Sequence, residues 1–361
     1  MIKTLGNNIV SAFTGGNSVK AIYTYGEKVW PTSGPYYIKW IPSSAEGQFN
    51  VDGTTYDLSA FSGLYYWNTG IINSSAFENN RYIQSIETNA TSIGGYAFRS
   101  CYSLSQASLS MCESIGDFAF VNCGSLTQVS LPVCSYIGRS AFGYCRLLKQ
   151  VSLPVCSYIG GSGFEYCESL SQVSLPVCSY IGEKAFLYCS SLTQINLPMC
   201  SYIGSSAFDH CSLMKQVSLP VCEYIGANAF HNCTSLLQIS LPMCSYIEYS
   251  AFYYCRSLSK VSLPVCSYIG SYAFNICYSL SQVSLPVCSY IADGAFYNCS
   301  SLSRITIGYS SICILEGIYA FEGTKITSST GSIYVPSSLV ASYKRYSMWS
   351  DFKNRIFAIP S

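Results

Sequence analysis

Apolar and polar positions recur along this chain in a pattern that returns every 22 residues. Isoleucine sets the register, at Ile93, Ile115, Ile137, Ile159, Ile181, Ile203, Ile225, Ile247, Ile269 and Ile291. Ala-Phe follows four and five residues later, as in Ala141-Phe142 and Ala273-Phe274, with Gly163 once replacing the Ala. Three residues after the Phe comes a cysteine, then a leucine, an apolar–Ser–Leu triplet, a proline and a second cysteine. A strict period of this size marks a solenoid, in which each coil buries its apolar side only by stacking on the next. The register loosens at both ends. Ile72 with Ala76-Phe77 opens a unit one residue short, and Ala320-Phe321 lies 25 residues after the preceding pair. Atypical end units are what capping requires, because an end coil must close the core to water.

Within a coil, the alternation Val129-Ser130-Leu131 predicts a short strand with Val and Leu inward and Ser outward. Pro132, lacking an N–H, ends it. Gly138 fits a turn, and Ala141-Phe142 with Cys145 suits one helical or 3-10 turn that buries the Phe. The expected fold is therefore a repeat solenoid of 22-residue coils, each with one short parallel strand and one short helical or 3-10 turn, capped at both ends.

The run Leu126-x-x-Val129-x-Leu131-x-x-Cys134 fits the leucine-rich pattern, and the signature I-G-x-x-A-F-x-x-C-x-S-L resembles the BspA-like leucine-rich repeats of gut bacteria and some protists, over about 72–325. The segment Ile333 to Val340, followed by Tyr343-Lys344 and Trp349, resembles the strand-then-helix cap of such proteins. The resemblance implies a surface adhesin or a virion-associated host-recognition protein with no shared active site, hence no enzyme. One departure is Tyr136, where the pattern expects an apolar residue two after Cys. Val19 to Trp30 reads as a hairpin turning at Gly26-Glu27, resembling short modules at the start of phage-encoded gut proteins. The expected domains are a hairpin module and linker (1–35, with the linker at Pro31 to Pro35), a β-type N-terminal cap (36–71), a solenoid of about twelve coils, two of them imperfect (72–327), and a strand–helix cap (328–361).

Composition narrows the function classes. Apolar residues are 49% and charged residues 10%, so the surface must be polar but uncharged. Net charge is +1 without a basic block, which argues against nucleic acid as a partner. No run approaches the roughly 18 apolar residues of a membrane span, so no membrane insertion is expected. The first 20 residues carry Asn, Ser, Thr and Gly where a secretion signal needs an apolar stretch. The expectation is synthesis in the cytosol and release by lysis, with action at an extracellular surface or in a virion. Homo-oligomer or virion assembly would run through the N-terminal module.

The 20 cysteines fall into two columns, one after the Phe (Cys101 to Cys299) and one after Leu-Pro or its equivalent (Cys112 to Cys288), with Cys313 left over. The columns are 11 residues apart, half a coil, which disfavours bridges between them. Pairing within a column would break the equivalence of the coils. Reduced thiol ladders are expected, with each buried thiol acting as a small hydrophobe. Zinc is disfavoured because no C-x-x-C pair occurs. No cofactor is expected.

Variation between coils is the internal guide to function. The two residues after Phe vary and are rich in aromatic and amide side chains, which give contact area at modest entropic cost. The candidate ligand-binding residues there are Tyr144, Tyr166, Tyr188, His210, Asn232, Tyr254 and Tyr297. A second candidate column contains Tyr158, Tyr180 and Tyr202; it is either an exposed aromatic stripe or a self-stacking ladder. The partner implied is a cell-surface glycan or protein; a spacer without a ligand is the alternative. Catalysis has little support: His210 and His231 are the only histidines, they lie in adjacent coils, and no third metal ligand is evident beyond Asp209, so no metal site is expected. No Ser/His/Asp order or nucleotide-binding glycine motif appears.

Overall fold

The computed structural model describes residues 70–360 apart from Tyr82 and Ser329, and before them the backbone of strands Ser11–Thr14, Val19–Thr24, Glu27–Trp30, Gln48–Val51, Thr54–Asp57 and Leu64–Trp67. The two expected hairpin strands are antiparallel partners, with Thr24 opposite Glu27. Gly26 of the expected turn and the linker Pro31 to Pro35 lie outside the described residues. Two compact units are distinguished, Met1–Cys156 with Tyr166–Val173, and Ser157–Glu165 with Ser174–Ser361.

Each unit is a stack of parallel coils. In the first, Leu64–Trp67, Ser85–Thr88, Gln106–Leu109, Gln128–Ser130 and Gln150–Ser152 pair in sequence, one strand per coil. In the second, Gln194–Asn196, Gln216–Ser218, Gln238–Ser240 and Lys260–Ser262 do the same, and Gln282–Leu285 begins a further ladder through Arg304–Ile307, Ser332–Val335 and Ile356–Ala358. The facing is as the alternation dictates: Val129 and Leu131 are buried and Ser130 is exposed. The strand ends before Pro132, which cannot donate to the ladder.

The solenoid class holds, but the coil differs from expectation in two details. Every coil carries a second strand, a two-residue step such as Tyr180–Ile181 or Tyr202–Ile203, which pairs in register with its neighbours. The return stretch is also not a helix. Ala185, Leu187 and Cys189 donate their N–H groups three residues back, to Gly182, Lys184 and Phe186. The intervening Lys184, Phe186 and Tyr188 donate instead to Ser205, Ala207 and Asp209 of the next coil, at 2.7–2.9 Å. Lys184 and Tyr188 stand in the left-handed region, φ 56° and 59°, and so interrupt any helix. A helix would spend every N–H inside its own coil; this chain of turns divides them between its own coil and the next. Among the described residues, only the atypical end coil holds a 3-10 helix at this point, Ile318–Phe321.

The core is a set of ladders. Phe186, Phe208, Phe230, Phe252 and Phe274 are fully buried and stack at 5.1–5.3 Å with nearly parallel rings. The 25-residue end coil keeps the ladder intact, since Phe321 stacks on Phe296 at 5.8 Å. Trp349 tilts against Phe321 and Phe352 meets it edge-on, closing the stack. Trp349 Nε1 donates to the Cys313 carbonyl at 2.7 Å, and the Cys313 N–H donates to Tyr343 Oη at 2.8 Å, which fixes the C-terminal elements to the last coil.

All 20 cysteines are buried thiols. Their positions have a polar reason besides volume. In the post-Phe column each S–H donates to the carbonyl of a Phe in the preceding coil, as Cys211 to Phe186 (3.3 Å) and Cys233 to Phe208 (3.2 Å). In the other column the S–H donates two residues onward, as Cys200 to Tyr202 (3.2 Å) and Cys244 to Tyr246 (3.3 Å). Serine adds a surface ladder, Ser179, Ser201, Ser267 and Ser289 each donating Oγ to a serine carbonyl one coil back.

Candidate functional site

The residue two after each Phe adopts a left-handed backbone whatever its identity: Tyr144 (φ 61°), Tyr166 (56°), Tyr188 (59°), His210 (60°), Asn232 (56°), Tyr254 (64°), Ile276 (61°) and Asn298 (56°). The chain requires this conformation to send one N–H forward to the next coil, as Tyr188 does to Asp209 and His210 to His231, both at 2.9 Å. Asn tolerates it; Tyr and above all a β-branched residue occupy it at a cost of about 1 kcal/mol or more. Ile276 is thus a strained position in an otherwise regular column. Replacing it with Asn, the residue that the next coil carries at Asn298, is expected to raise stability by about 1 kcal/mol, read as a higher guanidinium midpoint at unchanged slope.

These side chains stand at the surface, exposed at Tyr144 and half-buried at the other seven. In the first unit Tyr144 stacks on Tyr166 at 4.7 Å. In the second, Tyr188 stacks on His210 at 4.3 Å, and Tyr253 packs against Tyr254 at 5.0 Å, over which Arg256 lies at 4.5 Å. Tyr297, in the preceding column, is likewise half-buried.

The other tyrosine column resolves as a self-stacking ladder. Tyr158, Tyr180, Tyr202 and Tyr224 stack at 4.9–5.0 Å with interplanar angles of 2–4°, and Tyr246 sits 4.2 Å from Tyr268. Ring faces are therefore covered by neighbours, and edges and hydroxyls face outward. Tyr224 donates its hydroxyl to Glu248 Oε1 at 3.0 Å; partial burial and this bond raise its pKa. Burial, then the hydrogen bond with Tyr268, pushes Tyr246 up to about 12.

Sequence reasoning missed two features. One is an exposed apolar row in the second unit, one residue after the repeated proline, including Val177, Met199, Val221 and Met243; the signal was the proline, which turns the next residue outward. The other is the meeting of both histidines with Asp209, whose Oδ1 lies 2.8 Å from His210 Nδ1 and 2.7 Å from His231 Nδ1. The 22-residue period puts the histidines in adjacent coils, but it does not encode the side-chain directions that bring both to Asp209. No helix among the described residues is long and apolar enough to cross a membrane.

With this geometry in view, known proteins offer the following likenesses. The family described as the BspA type leucine rich repeat region matches in six copies, over residues 67–170, 113–236 and 223–340. No curated protein matches in sequence. Among solved structures, the pneumococcal vaccine antigen PcpA is 18% identical over 89% of this chain and 88% of its own, with a TM-score of 0.50. A leucine rich cell surface protein from Faecalibacterium prausnitzii is 23% identical over 97% of this chain and 98% of its own, with a TM-score of 0.45. A leucine-rich repeat protein from Bacteroides ovatus is 23% identical, covering 99% of each chain, with a TM-score of 0.44.

Proposed function

The chain belongs to the BspA-type leucine-rich-repeat family, and on that premise we propose that it is a non-catalytic recognition protein of the cell surface whose post-Phe column contacts a partner protein. The repeat fold is consistent with a protein-binding or adhesion role. One observation carries the reading: a backbone position that favours Gly or Asn instead carries Tyr144, Tyr166, Tyr188, His210 and Tyr254, at the surface and varying from coil to coil. The fold requires the left-handed backbone but not a tyrosine on it, since Asn holds it without strain, and a strained side chain kept at such a position points to contact. Stacking offsets part of that cost and also holds the rings rigid, which lowers the entropy lost on binding.

Between the two partner classes, the ring faces favour protein. A sugar ring packs on an open aromatic face, whereas these faces are largely taken by neighbouring rings. What remains outward is ring edge, hydroxyl and amide, suited to the polar groups of a protein surface.

The test uses labelled full-length chain on parallel arrays of cell-surface proteins and glycans. Binding to a protein is expected, weakened about tenfold or more by Tyr144→Asn with Tyr166→Asn in one variant, or by Tyr188→Asn with Tyr254→Asn in another, since a few aromatic anchors carry most of an interface. Asn suits the left-handed backbone, so the fold is kept. Binding confined to glycans would replace protein by sugar as the partner class; binding unaltered in both variants would move the interface off this column.

A further inference from the structure

We propose that Asp209, His210 and His231 form a binding site for one divalent transition-metal ion of the class that imidazole and carboxylate share, such as zinc or cobalt. The chain has only 2 histidines in 361 residues, and the fold brings both onto one carboxylate. The three donor atoms lie within 4.8 Å of one another. This inference does not depend on the partner reading above.

For neutral imidazoles the hydrogen bonds set the proton positions. A carboxylate only accepts, so each Nδ1 carries its proton and donates to Asp209 Oδ1. Each Nε2 is then an acceptor, and both receive from the same amide: Asn232 Nδ2 lies 3.1 Å from His210 Nε2 and 3.3 Å from His231 Nε2. The four side chains close a ring, Asp209 to His210 to Asn232 to His231 and back, and that ring has a second self-consistent state. If both ring protons pass from Nδ1 to Nε2, the two Nδ1 lone pairs and Asp209 Oδ1 face one point. The Asn232 amide, turned over, presents Oδ1 to accept both Nε2–H groups. A metal-bound imidazole ordinarily donates its other N–H to such an acceptor, which fixes its tautomer and orientation.

The dimensions are close to what an ion needs. With metal–nitrogen bonds of roughly 2.0–2.1 Å, ligand atoms stand about 3.0–3.4 Å apart, so the present 2.7 and 2.8 Å contacts to Asp209 open by a few tenths of an ångström, while the two imidazole nitrogens, within 4.8 Å of each other, draw together. The rings are held in place: His210 stacks on Tyr188 at 4.3 Å, and His231 meets His210 edge-on at 5.4 Å and tilts against Tyr253 at 5.2 Å. The side chains are 35%, 24% and 14% exposed for His210, His231 and Asp209, enough for an ion to enter and keep water on its remaining positions. The buried cysteines compete poorly, because burial holds thiols such as Cys200 and Cys244 in the neutral form.

The experiment titrates the full-length, reduced chain with zinc chloride by calorimetry in two buffers of different ionisation heat, and with cobalt chloride by visible absorption. One ion per chain is expected, with no net proton release, because both protons stay on their rings; capture by thiols would release one proton per sulfur. His210→Asn and His231→Gln should each weaken binding tenfold or more, Asn232→Leu should weaken it about tenfold, and Asn232→Asp should keep it. A readout free of substitutions comes from the histidine ring nitrogens by NMR: both imidazoles should switch from the Nδ1–H to the Nε2–H tautomer on zinc addition. The proposal is overturned if millimolar cobalt gives no bound spectrum, if proton release tracks thiols, if the double histidine variant binds as the native chain does, or if the ring tautomers stay unchanged.

Discussion

Above pH 9 the protein is expected to lose stability steeply and to unfold by about pH 10.5, although its net charge is only +1. The cause is the thiol ladders. Burial pushes Cys112, Cys200 and Cys244 up to about 11 and Cys134 up to about 12 from an ordinary 9.0, and raises other thiols such as Cys145, Cys211 and Cys255 further in the same direction. Cys288, which receives a hydrogen bond from the Cys313 thiol, moves the other way. A raised folded pKa means that the unfolded chain gives up protons first as the pH rises. Stability is therefore whole below pH 9 and is lost as the pH climbs from there towards 11.

The magnitude decides the outcome. At pH 10 each thiol that ionises only in the unfolded chain costs about 1.4 kcal/mol, and ten of them cost about 14 kcal/mol, as much as the whole stability of an ordinary domain. Far-UV circular dichroism and thiolate absorbance, followed together under reducing conditions, check this. The dichroism should hold to about pH 9 and then fall cooperatively, with thiolate appearing only as the fold is lost. Thiolate rising while the dichroism stays intact would show that the sulfurs ionise in place and that the ladders are open to water.

That sensitivity was half legible beforehand. The 22-residue period placed each Cys in a column, and its equivalence from coil to coil argued for unpaired thiols. The hydrogen bond from Cys233 to the Phe208 carbonyl 25 residues earlier was not legible, because it depends on how far one coil is offset against the next. The same limit explains the return stretch. Ala185-Phe186 with Cys189 has the spacing of a helical turn, and three-residue bonds do form there, but Lys184, Phe186 and Tyr188 turn their N–H groups to the neighbouring coil. Periodicity counts residues within a coil and is blind to bonds between coils. The left-handed column is hidden for the same reason, since Tyr188 and Ile276 contradict the local preference that would have revealed it. The 22-residue period puts His210 and His231 in adjacent coils, yet their convergence on Asp209 depends on side-chain directions that the period does not encode.

Removing one ring from the buried Phe ladder should cost far more than removing one from the tyrosine ladder, although the rings are equally spaced. Phe230 lies 5.2 Å from Phe208 and 5.3 Å from Phe252; Tyr202 lies 5.0 Å from both Tyr180 and Tyr224. If stacking held the coils together, the two deletions would be equal, at about 0.5–1.5 kcal/mol per ring pair. Phe230, however, is 0% exposed and Tyr202 is only half-buried. Phe230→Ala leaves a cavity between two coils that cannot collapse, because the backbone bond from Phe208 to Ala229 and that from Phe230 to Ala251, each 2.8 Å, fix the coil spacing on either side. The expected loss is about 4–5 kcal/mol, against about 1–2 kcal/mol for Tyr202→Ala. The loss should also be local, since each coil contacts only its neighbours: amides around Phe208, Phe230 and Phe252 should exchange with solvent hydrogen faster, while those near Phe321 keep their protection. Denaturant midpoints and residue-resolved hydrogen exchange on the two variants measure both parts. Equal losses for Phe230→Ala and Tyr202→Ala would mean that ring contact, not removal of apolar surface from water, sets the strength of the stack.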